Sequence, residues 1–225
     1  MQLITEPSRD TWIEIIQRPV ADTAELNQVV SAILDDVKQN GDAAIKKYCL
    51  RFGKADLENL EVSKEEFMNA HSLVDDNLKA AIQTARINIE KFHLSQREEV
   101  HKVETSKDVF CWRKSVAIEN VGLYIPGGTA PLFSTLLMLG IPAVMAGCKE
   151  IIVCTPSDAN GKVDPVILYV ADILGLKNIY RVGGVQAIAA LAYGSESIRR
   201  VDKIFGPGNQ YVTCGKQLVN SQGWQ

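Results

Sequence analysis

Several features that would narrow the function at once are missing from this 225-residue chain. There is no excess of basic charge: 24 Lys and Arg stand against 27 Asp and Glu, a net of −3. Nothing therefore supports a nucleic-acid or anionic-membrane partner, which calls for a basic stripe. No apolar run approaches the roughly 20 residues a transmembrane helix needs; the best, 132–145, is interrupted by Gly140 and Pro142. The amino terminus, MQLITEPSRDTW, has neither the basic start nor the apolar middle of a secretory signal. Five cysteines, Cys49, Cys111, Cys148, Cys154 and Cys214, form no CxxC pair and no even framework. That predicts reduced thiols, partly used as small apolar side chains, in a cytoplasmic setting. Histidine is scarce, and His71, His93 and His101 all precede the glycine-rich half. No histidine metal cluster or triad can be assembled near it, and each histidine reads as structural.

What is present is an ordinary globular composition, 46% apolar and 23% charged, enough to bury a core. Residues 1–20 read as a helical segment, with Ser8 capping a short helix that carries Trp12, Ile13, Ile15 and Ile16 and ends at Arg18-Pro19. Residues 21–121 read as mainly helical. Asp22-Thr-Ala-Glu25 has the capping-box pattern, in which side chains at both ends satisfy free backbone N–H groups. Leu26, Val29, Val30, Ile33, Leu34 and Val37 follow at helical spacing. Asn40-Gly41 breaks that helix, and Asp42 starts another with Ile45, Tyr48, Cys49 and Phe52 on one side. A further box, Ser63-Lys-Glu-Glu66, opens a helical hairpin running through Leu78, Ile82, Ala85, Ile89 and Phe92. From Asp108 to Val116, β-branched and aromatic residues predict a pair of strands.

The second half, 122–225, has a different rhythm. Strands are predicted at 121–125, 150–155, 178–182 and 202–205, and helices at 131–146, 165–174, 185–193 and from 209 to about 219, with Pro131 in the first turn of its helix. Four strands alternating with four helices through short joins predict a parallel sheet wound on both faces by helices. The glycine pairs all fall after a strand and before a helix, on one edge of that sheet, where open parallel sheets bind ligands. The joins are Ile125-Pro-Gly-Gly, Val182-Gly-Gly-Val and Phe205-Gly-Pro-Gly-Asn. Glycine lets the backbone approach a phosphate without a Cβ in the way, and a helix start offers free N–H groups to an anion. None of the joins is a GxGxxG fingerprint, and no acidic residue lies at the fingerprint's spacing. Three polar residues adjoin them: Tyr124, Gln186 and Asn209. Each has an alternative reading that stays open here: a satisfied core aromatic for Tyr124, an exposed helix residue for Gln186, a plain N-cap for Asn209.

The run VGLYIPGGTAPLFSTLLMLGIPAVMAGCKEIIVCTP, followed by RVGGVQAIAALAYGSESIRRVDKIFGPGNQYVTCGKQLV, strongly resembles histidinol dehydrogenase. The similarity extends upstream through Trp112-Arg113, Phe92-His93 with Gln96, and Arg18-Pro19, and so covers essentially the whole chain. The resemblance implies a cytoplasmic enzyme of L-histidine biosynthesis. Such an enzyme oxidises L-histidinol to the aldehyde and on to L-histidine, reducing two NAD, and is a zinc-requiring homodimer. It implies Tyr124, Gln186 and Asn209 as NAD contacts. It also implies a fold in which 122–225 is an incomplete Rossmann-like domain, preceded by a mainly helical region belonging to a second α/β domain. That region would then lack sheet partners and expose apolar surface. Members of the family are about twice as long. Their zinc ligands, substrate contacts and catalytic Glu–His pair lie in the half beyond Gln225, so no catalytic or metal residue is assigned here. The chain reads as an N-terminal fragment inactive alone. A non-catalytic nucleotide-binding module, and a related dehydrogenase with another substrate, are the rival readings.

Overall fold

The computed structural model describes residues 3–17, 24–128 and 131–223. Arg18-Pro19 and the Asp22 and Thr23 end of the first capping box lie outside the described residues. A single 3₁₀ turn, Arg9–Thr11, leads into α1 (Trp12–Ile16). Helices α2 (Ala24–Gly53), α3 (Lys64–Leu73) and α4 (Asp76–Leu94) follow, then the hairpin strands β1 (Val103–Ser106) and β2 (Val109–Cys111). The second half alternates β3 (Asn120–Tyr124), α5 (Phe133–Ala146), β4 (Glu150–Cys154), α6 (Pro165–Ile173), β5 (Asn178–Tyr180), α7 (Gly184–Tyr193), β6 (Lys203–Phe205) and α8 (Gln210–Ser221).

Strands β3 to β6 form one parallel sheet in the order β5-β4-β3-β6. Its side chains alternate between two cores, as the two-residue period of a strand requires. Val121, Leu123, Ile125, Ile151, Val153 and Ile179 face a core shared with α3, α4, α5 and α6. Tyr124, Ile152, Cys154, Tyr180 and Val182 face the opposite core, shared with α2, α7 and α8. The chain is thus α/β, with helices on both faces of a four-stranded parallel sheet. Each fully buried Leu or Ile in these cores contributes about 1.5–3 kcal/mol.

The helical region does not stand apart from this sheet. Helix α2 lies across α7 and α8, α3 against α6, and α4 against α5. Inside α2, Gly41 has φ 49° and ψ −130°, a left-handed kink between two helical stretches. The second stretch is capped from far away: the Asp42 N–H donates to Glu196 Oε2 at 2.7 Å, and the Ser197 hydroxyl donates to the Asp42 carboxylate. Val30, Ile33, Leu34, Val37, Ile45, Tyr48 and Cys49 are buried as their spacing predicts. Val29 and Phe52 are exposed instead; the Phe52 ring stacks on Tyr48 with centroids 5.7 Å apart.

Other expectations need correction. Ser8 makes no side-chain cap bond; its carbonyl accepts from Thr11. Pro131 precedes its helix, which starts at Phe133 behind Leu132. The strand pair lies upstream of its predicted position, because Asp108 adopts φ 63° at the turn and its N–H donates to Glu104 Oε1; residues 112–119 form no strand. The Ser63 capping box is present with both of its reciprocal bonds.

Candidate functional site

All four parallel strands end on one edge. From β3 the chain passes to α5, on one face; from its neighbour β6 it passes to α8, on the other. Adjacent strands whose continuations part in this way create the crevice where open α/β sheets take ligands. The crevice is floored by Pro126, Gly127 and Gly128 after β3 and by Gly206, Pro207 and Gly208 after β6. Gly206 has φ 133°, and a Cβ there would stand 2.0 Å from the Tyr124 carbonyl oxygen, so the chain leaving β6 packs directly on the backbone at the end of β3.

Pro156, just past β4, organises the rest of the edge. A Cβ on Gly127 would meet its ring at 2.5 Å, and a Cβ on Gly183 would meet it at 2.7 Å. These two glycines make room for a proline wedge rather than an open phosphate cradle. Recesses lie on either side of the wedge, and Pro156 and Ser157 line both. One, of about 730 Å³, opens between α3, α6 and the segment that leads into α5, and is lined by Gly127, Gly128, Thr155 and Asp158. The other, of about 150 Å³, lies between the end of α2 and the start of α7 and is lined by Cys49, Phe52, Arg181, Gly184 and Gln186.

The structure brings Tyr124 and Gln186 together through the start of α7. Tyr124 is buried at the end of β3, and its hydroxyl accepts a 3.1 Å bond from the Gly184 N–H. Burial pushes the Tyr124 pKa up, against the pull of that N–H. The hydroxyl therefore keeps its proton at neutral pH and has it to donate. Gln186, in the first turn of α7, is only 3% exposed, not an exposed helix residue. Its Oε1 has no hydrogen-bond partner among the described residues. An orphaned buried acceptor of this kind costs about 1–3 kcal/mol. The Cys49 thiol lies beside it; burial raises the thiol's pKa, opposed by the Gln186 side chain and the Gly183 backbone. Asn209 sits in the neighbouring loop and is exposed. Its Oδ1 accepts from Tyr211 and Val212 N–H, both at 3.1 Å, which makes it the N-cap of α8.

Sequence reasoning missed three residues here. Arg181 follows β5 and is held by bonds from Nη1 to the Gly161 carbonyl and from Nη2 to the Glu61 carbonyl, each 2.8 Å, and by a 2.6 Å pair with Glu66. Its Nε has no partner among the described residues. Lys216, on α8, donates to the Gly206 carbonyl at 2.5 Å, and burial pushes its pKa down. Pro156 is the wedge itself. The signal for Arg181 was an arginine closing an otherwise apolar strand; Pro156 and Lys216 gave none. The histidines lie elsewhere: His71 pairs with Asp172 at 2.7 Å, His93 with Gln96 at 2.7 Å, and His101 sits beside Trp112 near the hairpin. Among the described residues no three His, Cys, Asp or Glu side chains cluster to hold a metal ion. No helix of the described residues is long and apolar enough to cross a membrane.

The sequence model of histidinol dehydrogenase matches residues 16–223. Histidinol dehydrogenase of Bacteroides thetaiotaomicron is 54% identical over 220 residues, 98% of this chain and 51% of that protein. The Bacteroides fragilis protein of the same name is 56% identical over the same length and coverage. The crystal structure of histidinol dehydrogenase from Elizabethkingia anophelis superposes with a TM-score of 0.92 at 51% identity, covering 96% of this chain and 50% of that one. The chain spans about half the length of the relatives it matches.

Proposed function

This chain belongs to the histidinol dehydrogenase family, and from that premise we propose that it carries the NAD-binding part of an enzyme oxidising L-histidinol to L-histidine. The observation that carries the reading is the buried Gln186 oxygen without a partner, at a glycine-lined edge whose neighbouring Tyr124 hydroxyl has a proton to give. A dinucleotide supplies the missing donors, from its ribose hydroxyls, amino group or carboxamide. Tyr124, Gln186 and Asn209 would hold it, with the Asn209 amide acting beside its capping oxygen. When bound, NAD supplies the acceptor for hydride.

Residues 122–225 form the cofactor unit in this reading, an incomplete Rossmann-like domain, while 1–20 and 21–121 belong to a second α/β domain. The reading also takes the enzyme as a cytoplasmic homodimer. The described residues do not fit a zinc site. Nor do they place a histidine or a Glu–His pair at the edge, so the 225-residue chain should bind cofactor without turning over histidinol. Calorimetry with NAD on the wild type, Gln186→Ala and Asn209→Ala tests the site. Equal affinity in all three removes those residues from it. Histidinol-dependent NAD reduction by the purified chain, with zinc supplied, would overturn the separation of binding from chemistry.

A further inference from the structure

We infer that Lys216 is a positioning residue for the ligand edge: by drawing the Gly206 carbonyl into the fold, it fixes the loop after β6 so that the loop offers N–H groups to the crevice. Lys216 stands one helical turn after Val212 on α8, and residues at that spacing share a face. Long helical side chains lean toward the helix start. The Lys216 ammonium accordingly reaches back along α8 and donates to the Gly206 carbonyl at 2.5 Å. Two close approaches fasten the same loop. Gly206 packs on the Tyr124 backbone, and a Cβ on Gly208 would meet Val212 Cγ1 at 2.3 Å. Of these three fastenings, Lys216 supplies the one made by a charged side chain.

What the loop then presents follows from its sequence. Pro207 has no N–H. The next three N–H groups, of Gly208, Asn209 and Gln210, have no hydrogen-bond partner among the described residues, and all three residues are exposed. A carbonyl turned outward would set its partial negative charge beside these donors, and the Lys216 bond keeps the Gly206 oxygen from that place. Packing alone does not call for the ammonium. Lys216 is half-buried, makes no ion pair among the described residues, and has its pKa pushed down by burial. A methionine would fill a similar space without a charge to desolvate. The ammonium thus costs stability and returns order at the loop that carries Asn209. The inference rests on the cofactor reading above.

The test compares the wild-type chain with Lys216→Met and with Lys216→Arg, which keeps a charged donor. Calorimetry gives NAD affinity, thermal unfolding gives stability, and NMR follows the Gly208, Asn209 and Gln210 N–H signals. The methionine variant should unfold at or above the wild-type temperature and show those three signals moved before any ligand is added. It should bind NAD at least about tenfold more weakly, and the arginine variant should recover most of that affinity. Unmoved loop signals, unchanged affinity, or a loss of affinity only in step with stability would each overturn the inference. If the wild type itself does not bind NAD, moved loop signals keep Lys216 as the residue that sets the loop and sink the cofactor reading; unmoved signals remove both. Should the methionine variant fail to fold, the wild type decides. NAD that moves the Asn209 N–H signal together with the Lys216 ammonium signal supports the inference, and NAD that moves the first without the second overturns it.

Discussion

β3 and β2 are built from the same kinds of residue, yet they live in different worlds. Val121, Leu123 and Tyr124 of β3 are at most 4% exposed, between two helix layers. Val109 and Phe110 of β2 are about half exposed and pair only with β1. Strand propensity supplies both; what separates them is whether helices arrive to cover the two faces. A two-stranded hairpin has marginal stability by itself, whereas the parallel sheet draws on cores at both faces. The sharpest way to break this contrast is to cut one apolar side chain from each region. Ile188→Ala, in fully buried α7, should lower stability by about 2–5 kcal/mol, and Phe110→Ala by no more than about 0.5 kcal/mol. Urea midpoints at constant slope read both. Similar losses would mean that the hairpin is part of the cooperative core.

Backbone geometry sharpens the comparison next. Gly206, at φ 133° with the Tyr124 carbonyl where a Cβ would go, belongs to the sheet edge. Asp108, at φ 63°, turns the hairpin. Gly206→Ala should cost about 1–3 kcal/mol in strain, and weaken NAD binding by moving the loop that carries Asn209. Asp108→Gly removes a side chain from a left-handed position and should change stability by a few tenths of a kcal/mol. Thermal unfolding of the two variants checks the ranking.

Ion pairs repeat the pattern. The Glu66–Arg181 pair is largely enclosed, with side chains 27% and 13% exposed, whereas Glu98–Arg113 is open at 65% and 89%. Burial alone would raise the Glu66 pKa, but the Ser63 N–H and Arg181 outweigh it and hold the carboxyl below its ordinary 4.5. A carboxylate whose folded pKa is depressed stabilises the fold above its unfolded pKa, and that contribution is lost as pH falls through the folded value. Glu66→Gln should therefore cost about 1–3 kcal/mol at pH 7, with the gap to wild type narrowing as pH drops below 4.5. Glu98→Gln should leave stability at pH 7 unchanged, as exposed pairs generally do. Denaturation at a series of pH values measures both, and a gap for Glu66→Gln that stays constant with pH would remove the ion pair as the cause.

The alternation of strands and helices in a parallel sheet and the glycine-lined edge could be read in the chain, because each strand is a short apolar run followed by a helix and three of the four lead into glycines. The buried face of α2 was legible from its spacing. What covers it was not, since its partners α7 and α8 lie more than a hundred residues downstream. The Asp42 contacts with Glu196 and Ser197 and the Glu66 pair with Arg181 bridge comparable distances, and periodicity says nothing about them. At the edge, glycines and neighbouring polar residues were visible, but their local reasons were not. Gly127 and Gly183 make way for Pro156, and Gln186 is buried rather than exposed because α2 lies over α7. Arg181 was overlooked because its meaning comes from Glu66, Glu61 and Gly161, three segments that meet only in the fold.

Asn209 is where the smallest effect on stability separates two roles for one side chain. Its oxygen caps α8 through the Tyr211 and Val212 N–H groups, and Asn209→Ala should cost about 1 kcal/mol for that alone. The loss by itself is silent about the cofactor. Asn209→Asp keeps an acceptor in the same place and adds a negative charge at a helix start, which is neutral to favourable for the helix. The change deletes the amide N–H donors and, in the proposed site, would set a carboxylate near the negatively charged dinucleotide. If Asn209 contacts NAD through its amide, the aspartate variant should unfold at or slightly above the wild-type temperature and bind NAD about tenfold or more weakly, the equivalent of about 1.4 kcal/mol. Were the residue a cap and nothing else, the aspartate variant would bind NAD like the wild type, and the alanine variant would lose affinity only in step with its stability.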